Sequence, residues 1–187
     1  KKLVYDEKKI SMKDLVEAIR KDFAGSEKLR QMLLNEAPKY GNDDDYSDSI
    51  ARDLSRFWAQ EVSKYTSPLT GRRYRAGYLS WNYYIDNAAK LASTPDGRKR
   101  GRFLSNGVQP VQGKDVKGPT AAFKSVCKLG YDVVPNGASY VITLSPATFR
   151  DEEHLRKFAA LLRAFEKLGG TSLQVNLVDA ATLKDAQ

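Results

Sequence analysis

Between Ser93 and Lys128 the chain reads S-T-P-D-G-R-K-R-G-R-F-L-S-N-G-V-Q-P-V-Q-G-K-D-V-K-G-P-T-A-A-F-K-S-V-C-K, and most of it carries neither a helical nor a strand period. Gly97, Gly101, Gly107, Gly113 and Gly118 recur every four to six residues, with Pro95, Pro110 and Pro119 among them. An ordered stretch this long without secondary structure is uncommon in a compact domain and is usually functional. Five glycines imply backbone passing close to a neighbour, or φ > 0 at several points. Whatever fold the chain adopts must accommodate this long irregular segment.

The segments around it are more regular. Ser11 caps a predicted helix with Met12, Leu15, Val16, Ile19 and Phe23 on one face, ended by Gly25. A second starts at Ser26, with Leu29, Met32 and Leu33, and Pro38 and Gly41 break the chain after it. Asp43, Asp44 and Asp45 then stand in a row. Such a row suits a metal cluster or a helix start. With no supporting Glu or His beside them, capping is the better reading, because first-turn acids satisfy free N–H groups and complement the helix dipole. The helix they open carries Tyr46, Ile50, Leu54, Phe57, Trp58 and Val62 and runs to about Tyr65.

Residues Arg72 to Tyr84 alternate as a strand. Tyr74, Tyr78, Ser80 and Tyr84 fall on one side, and Leu79, Trp81 and Tyr83 on the other. Aromatics on both faces predict a strand covered on both sides. Aromatic side chains with hydroxyl or indole groups suit a ligand pocket. A buried strand with satisfied polar tips accounts for the pattern more simply.

Beyond the irregular segment, Pro119 opens a helix through Ala121, Ala122, Val126 and Leu129, closed by Gly130. Residues 138–144 form a strand after the turn Pro135-Asn136-Gly137. Residues 151–168 form the clearest helix, with a stripe of Leu155, Phe158, Ala159, Leu162, Phe165 and Leu168. Gly169-Gly170 stops it, and residues 171–178 form a strand with Gln174 and Asn176 on one face. Asp179 caps a last helix over 180–187. That helix has no C-cap, there is no initial methionine, and the strands lack partners, so the expectation is a piece of a larger chain.

Composition excludes some functions. Lys and Arg exceed Asp and Glu, 31 to 23, for a net charge of +8. A nucleic-acid binder and a solvated basic surface both fit that excess, but no RNA- or DNA-binding signature surrounds the cluster Arg98, Lys99, Arg100 and Arg102, so no nucleic-acid partner is expected. No apolar run reaches the ~20 residues of a membrane span, so no membrane association is expected. Cys127 is the single cysteine, which allows no intrachain disulfide and no CxxC metal site and fits a cytoplasmic location. His154 is the single histidine and reads as a surface residue rather than a catalyst. None of the motifs GxSxG, P-loop, GxGxxG or HExxH is present.

Four blocks together resemble the C-terminal part of the glycyl radical enzymes, the family of pyruvate formate-lyase and the glycerol, choline and hydroxyproline lyases. They are Pro38-Lys39-Tyr40-Gly41-Asn42-Asp43-Asp44; Thr94-Pro95-Asp96-Gly97-Arg98-Lys99; Gly118-Pro119-Thr120-Ala121 with Lys124-Ser125-Val126 and Lys128-Leu129; and Gly169-Gly170 leading into Gln174-Val175-Asn176. They stand in the family's order, and the resemblance spans essentially residues 1–187. It implies an α/β fold, part of a ten-stranded α/β barrel with helices packed outside the strands, residues 1–71 mainly helical and 72–187 strand, loop and helix.

The resemblance implies a lyase of dehydratase or decarboxylase type whose glycyl radical is installed by a radical-AdoMet iron–sulfur activase. It also implies a small organic substrate, an anaerobic cytoplasmic setting and a homodimer of the full enzyme. The family's G-C-x-E and R-V-x-G-Y motifs are both absent from this sequence, and Cys127, in K-S-V-C-K, is not at the thiyl position. The chain is therefore expected to contribute no catalytic residue and no metal ligand, and not to catalyse alone. Its partner is then the remainder of the enzyme chain, or a complementary subunit if it is a split-gene product or remnant acting in trans. Within the resemblance, Trp81 and Tyr83 are the expected substrate-pocket residues, and Ser80 and Tyr84 replace them if the strand register shifts by one.

Overall fold

In the computed structural model, which describes residues 1–185, a five-residue π-helix Lys2–Asp6 precedes helices α1 (Met12–Arg20), α2 (Glu27–Asn35), α3 (Asp45–Ser63), α4 (Tyr83–Asp86) and α5 (Pro119–Cys127). Strand β1 (Ser139–Leu144), helix α6 (Glu152–Lys167), strand β2 (Ser172–Leu177) and helix α7 (Ala180–Asp185) follow. The predicted last helix extended over Ala186 and Gln187, which lie outside the described residues. The chain divides into two units, Lys1–Pro38 with Trp81–Leu104, and Lys39–Ser80 with Ser105–Gln187.

The smaller unit is built on α1 and α2. The Ser11 hydroxyl accepts from the Asp14 backbone N–H at 3.0 Å, which caps α1 as its sequence predicts. Leu15 and Ala18 of α1 and Leu33 of α2 bury with Leu3, Ile10 and Phe23. The Thr94–Lys99 block is a folded knot in this unit. Arg98 is buried, and its guanidinium donates to the carbonyls of Ala92 (2.6 Å), Lys99 (3.2 Å) and Arg102 (2.7 Å). Gly97 is required here: φ is +96°, a Cβ would meet Leu34 at 2.9 Å, and its carbonyl accepts from Arg30 at 2.9 Å. The Asp22 carboxylate takes the Ser93 hydroxyl and the Arg100 backbone N–H. The basic cluster is thus partly structural: its most buried member ties the loop to itself.

The larger unit holds a parallel β1–α6–β2 arrangement, with Ser139 opposite Ser172 through Leu144 opposite Leu177. Gly169-Gly170 lets the chain turn from α6 into β2, and a Cβ on Gly170 would sit 2.3 Å from the Phe165 ring. Phe165 is the centre of the core. Its ring lies 4.8 Å from Phe123 of α5, 6.1 Å from Tyr131 and 6.5 Å from Tyr140 of β1, centroid to centroid.

The sequence-based strand over Arg72–Tyr84 is not formed. Tyr78 makes an isolated parallel bridge to Ala138, just before β1, with its N–H donating to the Gly137 carbonyl at 2.8 Å and the Ala76 carbonyl accepting from the Asn136 N–H at 3.1 Å. Arg73 pairs back onto Thr66 in a tight turn, Trp81 stands at φ +46°, and Tyr83 opens α4. Alternation alone cannot hold a strand; a neighbour must supply the ladder, and here it does so for one residue. Nor are both faces covered, because Trp81 and Tyr83 are 78% and 66% exposed. The predicted α6 stripe is also divided. Phe165 is buried, whereas Leu155, Leu162 and Leu168 face outward.

Candidate functional site

The two faces of the β1–β2 pair differ sharply. Tyr140 and Ile142 are buried in the core beside α5 and α6, and their register partners Leu173 and Val175 pack on the same side. Strand alternation therefore puts Ser139, Val141, Thr143, Ser172, Gln174 and Asn176 on the opposite face. Only Val141 among them is apolar, and none is charged. The Ser139 and Ser172 hydroxyls meet at 3.1 Å, and Gln174 Nε2 donates to Asn176 Oδ1 at 3.0 Å. A neutral, hydrogen-bonding wall is suited to holding polar groups without fixing charge.

A loop closes the free edge of β1. The Ser80 hydroxyl donates to Asn106 Oδ1 and accepts from the Gly107 N–H at 2.8 Å. Gly107 has φ +56°, and a Cβ there would stand 3.2 Å from the Ser139 carbonyl, so only glycine lets the loop lie this close. Gln109 Nε2 donates to the Val141 carbonyl, and the Tyr40 hydroxyl donates to the Val108 carbonyl at 3.1 Å.

A clasp between the first and third sequence blocks supports that loop. Asn42 donates to the Lys114 carbonyl at 2.6 Å and accepts from the Lys117 N–H at 3.1 Å. The Asp43 N–H donates to Ser125 Oγ at 2.8 Å, and Ser125 Oγ donates to Asp48 Oδ2 at 3.0 Å. Lys128 Nζ reaches Asp43, Asp45 and Asp48 at 2.8, 2.8 and 2.9 Å. Burial opposes the Lys128 charge, but these three carboxylates raise its pKa on balance. Of the three acids in a row, Asp44 caps α3 through the Ser47 N–H at 3.1 Å; Asp43 and Asp45 serve the lysine instead.

Cys127 is half-buried, and burial pushes its thiol up to about 11, which keeps it a neutral thiol at neutral pH. His154, in the first turn of α6, hydrogen-bonds Asp151 Oδ1 through Nδ1 at 2.7 Å, and its backbone N–H donates to the same oxygen at 2.9 Å.

The four residues picked from the sequence are divided between the units. Ser80 lies in the larger unit and organises the edge loop. In the smaller unit Trp81 and Tyr83 are exposed, and Tyr84 packs edge-on to Phe103 at 6.3 Å. Sequence reasoning passed over Ser139, Ser172, Asn106 and Gln109. The polar phase of two strands whose other phase is apolar was the available signal.

Residues 1–86 match the pyruvate formate lyase-like family model, and residues 104–187 match the glycine radical model. The chain belongs to the glycyl radical enzyme family. It is 38% identical to a probable dehydratase of Escherichia coli and 32% identical to trans-4-hydroxy-L-proline dehydratase of Clostridioides difficile. Those alignments cover 100% and 98% of this chain but only 24% and 23% of the relatives. The B12-independent glycerol dehydratase from Clostridium butyricum superposes with a TM-score of 0.93 at 36% identity, over 100% of this chain and 24% of that one. The chain thus spans about a quarter of the length of the glycyl radical enzymes it matches. These neighbours are barrels, and the mixed helix–strand segment described above is part of an α/β barrel with α5 and α6 on one face of β1–β2. The glycine radical match implies a glycyl radical in the full enzyme, although R-V-x-G-Y is not in this sequence. Among the described residues no helix is long and apolar enough to cross a membrane.

Proposed function

We propose that this chain is the part of a glycyl radical lyase, of dehydratase or decarboxylase type, that contributes barrel strands and part of the wall of the substrate pocket. The observation that carries the reading is the two-faced β1–β2 pair. Its apolar face packs on α5 and α6, and its opposite face is polar and neutral. In a barrel with helices outside, that polar face is the inner wall. Relatives named as a dehydratase, an isethionate sulfite-lyase and a 4-hydroxyphenylacetate decarboxylase glycyl radical subunit support the reaction class.

The glycyl radical supplies hydrogen-atom abstraction. Residues 1–187 supply containment and orientation. Ser80 fixes the edge loop against β1. In the smaller unit, Trp81, Tyr83 and Tyr84 provide shape and hydrogen-bonding groups rather than radical transfer. A radical-AdoMet activase, a homodimeric full enzyme, a small organic substrate and a cytoplasmic setting belong to the same proposal.

The test is anaerobic electron paramagnetic resonance after treatment with an AdoMet-dependent activase. The full-length gene product should develop an organic radical and residues 1–187 alone should not. A full-length product carrying G-C-x-E and R-V-x-G-Y that gives no radical overturns the reading. A partner chain carrying those motifs, recovered in complex with residues 1–187, would replace it with the split-subunit form.

A further inference from the structure

A loop holds the far edge of β1 where a neighbouring strand would continue. Backbone carbonyls on a strand point alternately to its two edges. Leu144 aims its carbonyl at Val178, just after β2, so Gly137, Ser139 and Val141 aim theirs at the opposite edge. Gly137 accepts from the Tyr78 N–H at 2.8 Å, and backbone pairing with the Tyr78 segment ends at that bridge. Val141 accepts from Gln109 Nε2 instead. Gly107 stands between the two segments: a Cβ on it would lie 3.2 Å from the Ser139 carbonyl oxygen and 3.3 Å from that of Tyr78. Ser80 fixes Gly107 from the Tyr78 side, its hydroxyl accepting from the Gly107 N–H at 2.8 Å. From behind, the Tyr40 hydroxyl donates to the Val108 carbonyl at 3.1 Å, and Pro110 packs so close to Gly41 that a Cβ there would meet its ring at 2.3 Å. Residues 106–109 are thus a wedge between two extended segments of the larger unit.

Paired strands stand about 4.8 Å apart. A backbone lodged between two segments holds them wider, and the wall they form widens with them. Gly107 carries no side chain into the gap, and the Gln109 side chain tethers Val141 across it. Ser139 and Val141 are in the strand phase of the polar face. We propose that Gly107 and Gln109 set the gap between the Tyr78 segment and β1, and through it the size of substrate that the pocket admits. The proposal rests on the polar face being an inner barrel wall. Both are positioning residues: they act through Ser139 and Val141 and touch no reacting atom.

The experiment compares the full-length wild type with two variants. Gly107→Ala adds a methyl group between the two carbonyls, and Gln109→Leu keeps side-chain size while releasing Val141. Binding of glycerol and of trans-4-hydroxy-L-proline, used as the smaller and the bulkier probe, is measured by ligand-observed nuclear magnetic resonance. A pocket separates molecules that differ by one methylene about tenfold, so Gly107→Ala should raise the affinity ratio of the bulkier over the smaller probe by about that factor. Gln109→Leu should weaken both probes and raise amide hydrogen exchange in residues 139–141 without raising it in α6. If Gly107→Ala does not fold, the Gln109→Leu result decides. An unmoved ratio, binding of neither probe, or exchange that rises equally in α6 overturns the proposal. Radical formation reads the lyase proposal separately. A radical with an unmoved ratio removes only the role of the wedge, and a moved ratio without any radical removes only the lyase.

Discussion

Asp48 is 1% exposed in α3, and its Oδ2 accepts from both Ser125 and Lys128. A carboxylate that deep must keep its cation, because breaking a buried pair from one side leaves an uncompensated charge. Lys128→Met should therefore cost about 3–5 kcal/mol, read as a lowered denaturant midpoint. Lys124→Met, whose partner Asp43 keeps Lys128 and whose own side chain is half in water, should cost under about 1 kcal/mol. The same clasp sets a pH dependence. Hydrogen bonds from Lys124 and Lys128 hold the Asp43 carboxyl below the usual carboxylate range. A carboxyl depressed in the folded state stabilises fully above its unfolded value, and that contribution is lost as pH falls from about 4 through the folded value. Thermal midpoints measured between pH 7 and pH 3 should fall less steeply for Asp43→Asn than for the wild type.

At the scale of the element, α6 and the turn after it decide where β2 lies. Phe165 fills the space between α5, Tyr131 and β1, and Gly170 passes directly over its ring. A methyl group there has to displace a ring held on three sides, so Gly170→Ala should destabilise by about 2 kcal/mol, measured by equilibrium unfolding. A Cβ on Gly25, Gly71 or Gly113 meets nothing within 4 Å, so steric clash is absent at those turns and only their positive φ resists substitution. The long irregular segment contains elements of both kinds. Its Thr94–Arg102 stretch is a self-tied knot around Arg98, and its Asn106–Gln109 stretch is a brace on β1.

At the scale of the molecule, the chain carries apolar surface that the described residues leave exposed. Leu54 and Phe57 of α3 are 63% and 60% exposed, and Leu155 and Leu162 of α6 face outward. Large contiguous apolar surface signals an interface or an aggregation risk. Residues 1–187 expressed alone should bind a hydrophobic dye in native buffer and associate with increasing concentration. Leu54→Glu with Phe57→Lys should reduce both, with far-ultraviolet circular dichroism unchanged. Dye binding unaffected by that pair would place the exposed surface elsewhere.

Much of this was legible in the sequence. Ser11 and Asp44 cap α1 and α3 because local hydrogen bonds need only neighbours along the chain. The strands at 139–144 and 172–177 and the turns at Gly130 and Gly169 were equally local. The four blocks pointed to the family, yet nothing in their order says that Asn42 and Asp43 grip Lys117, Ser125 and Lys128 across more than seventy residues. The Arg72–Tyr84 stretch was misread for the same reason. Its alternation is a local property, but a strand exists only where a neighbour offers a ladder, and here Ala138, just before β1, offers a single bridge to Tyr78. Periodicity thus determined which residues pair along helices and strands. Which phase of β1 and β2 faces a core and which stays free for polar groups was decided only when Phe123 and Phe165 packed against Tyr140, because burial is a property of the assembled neighbours and not of the strand.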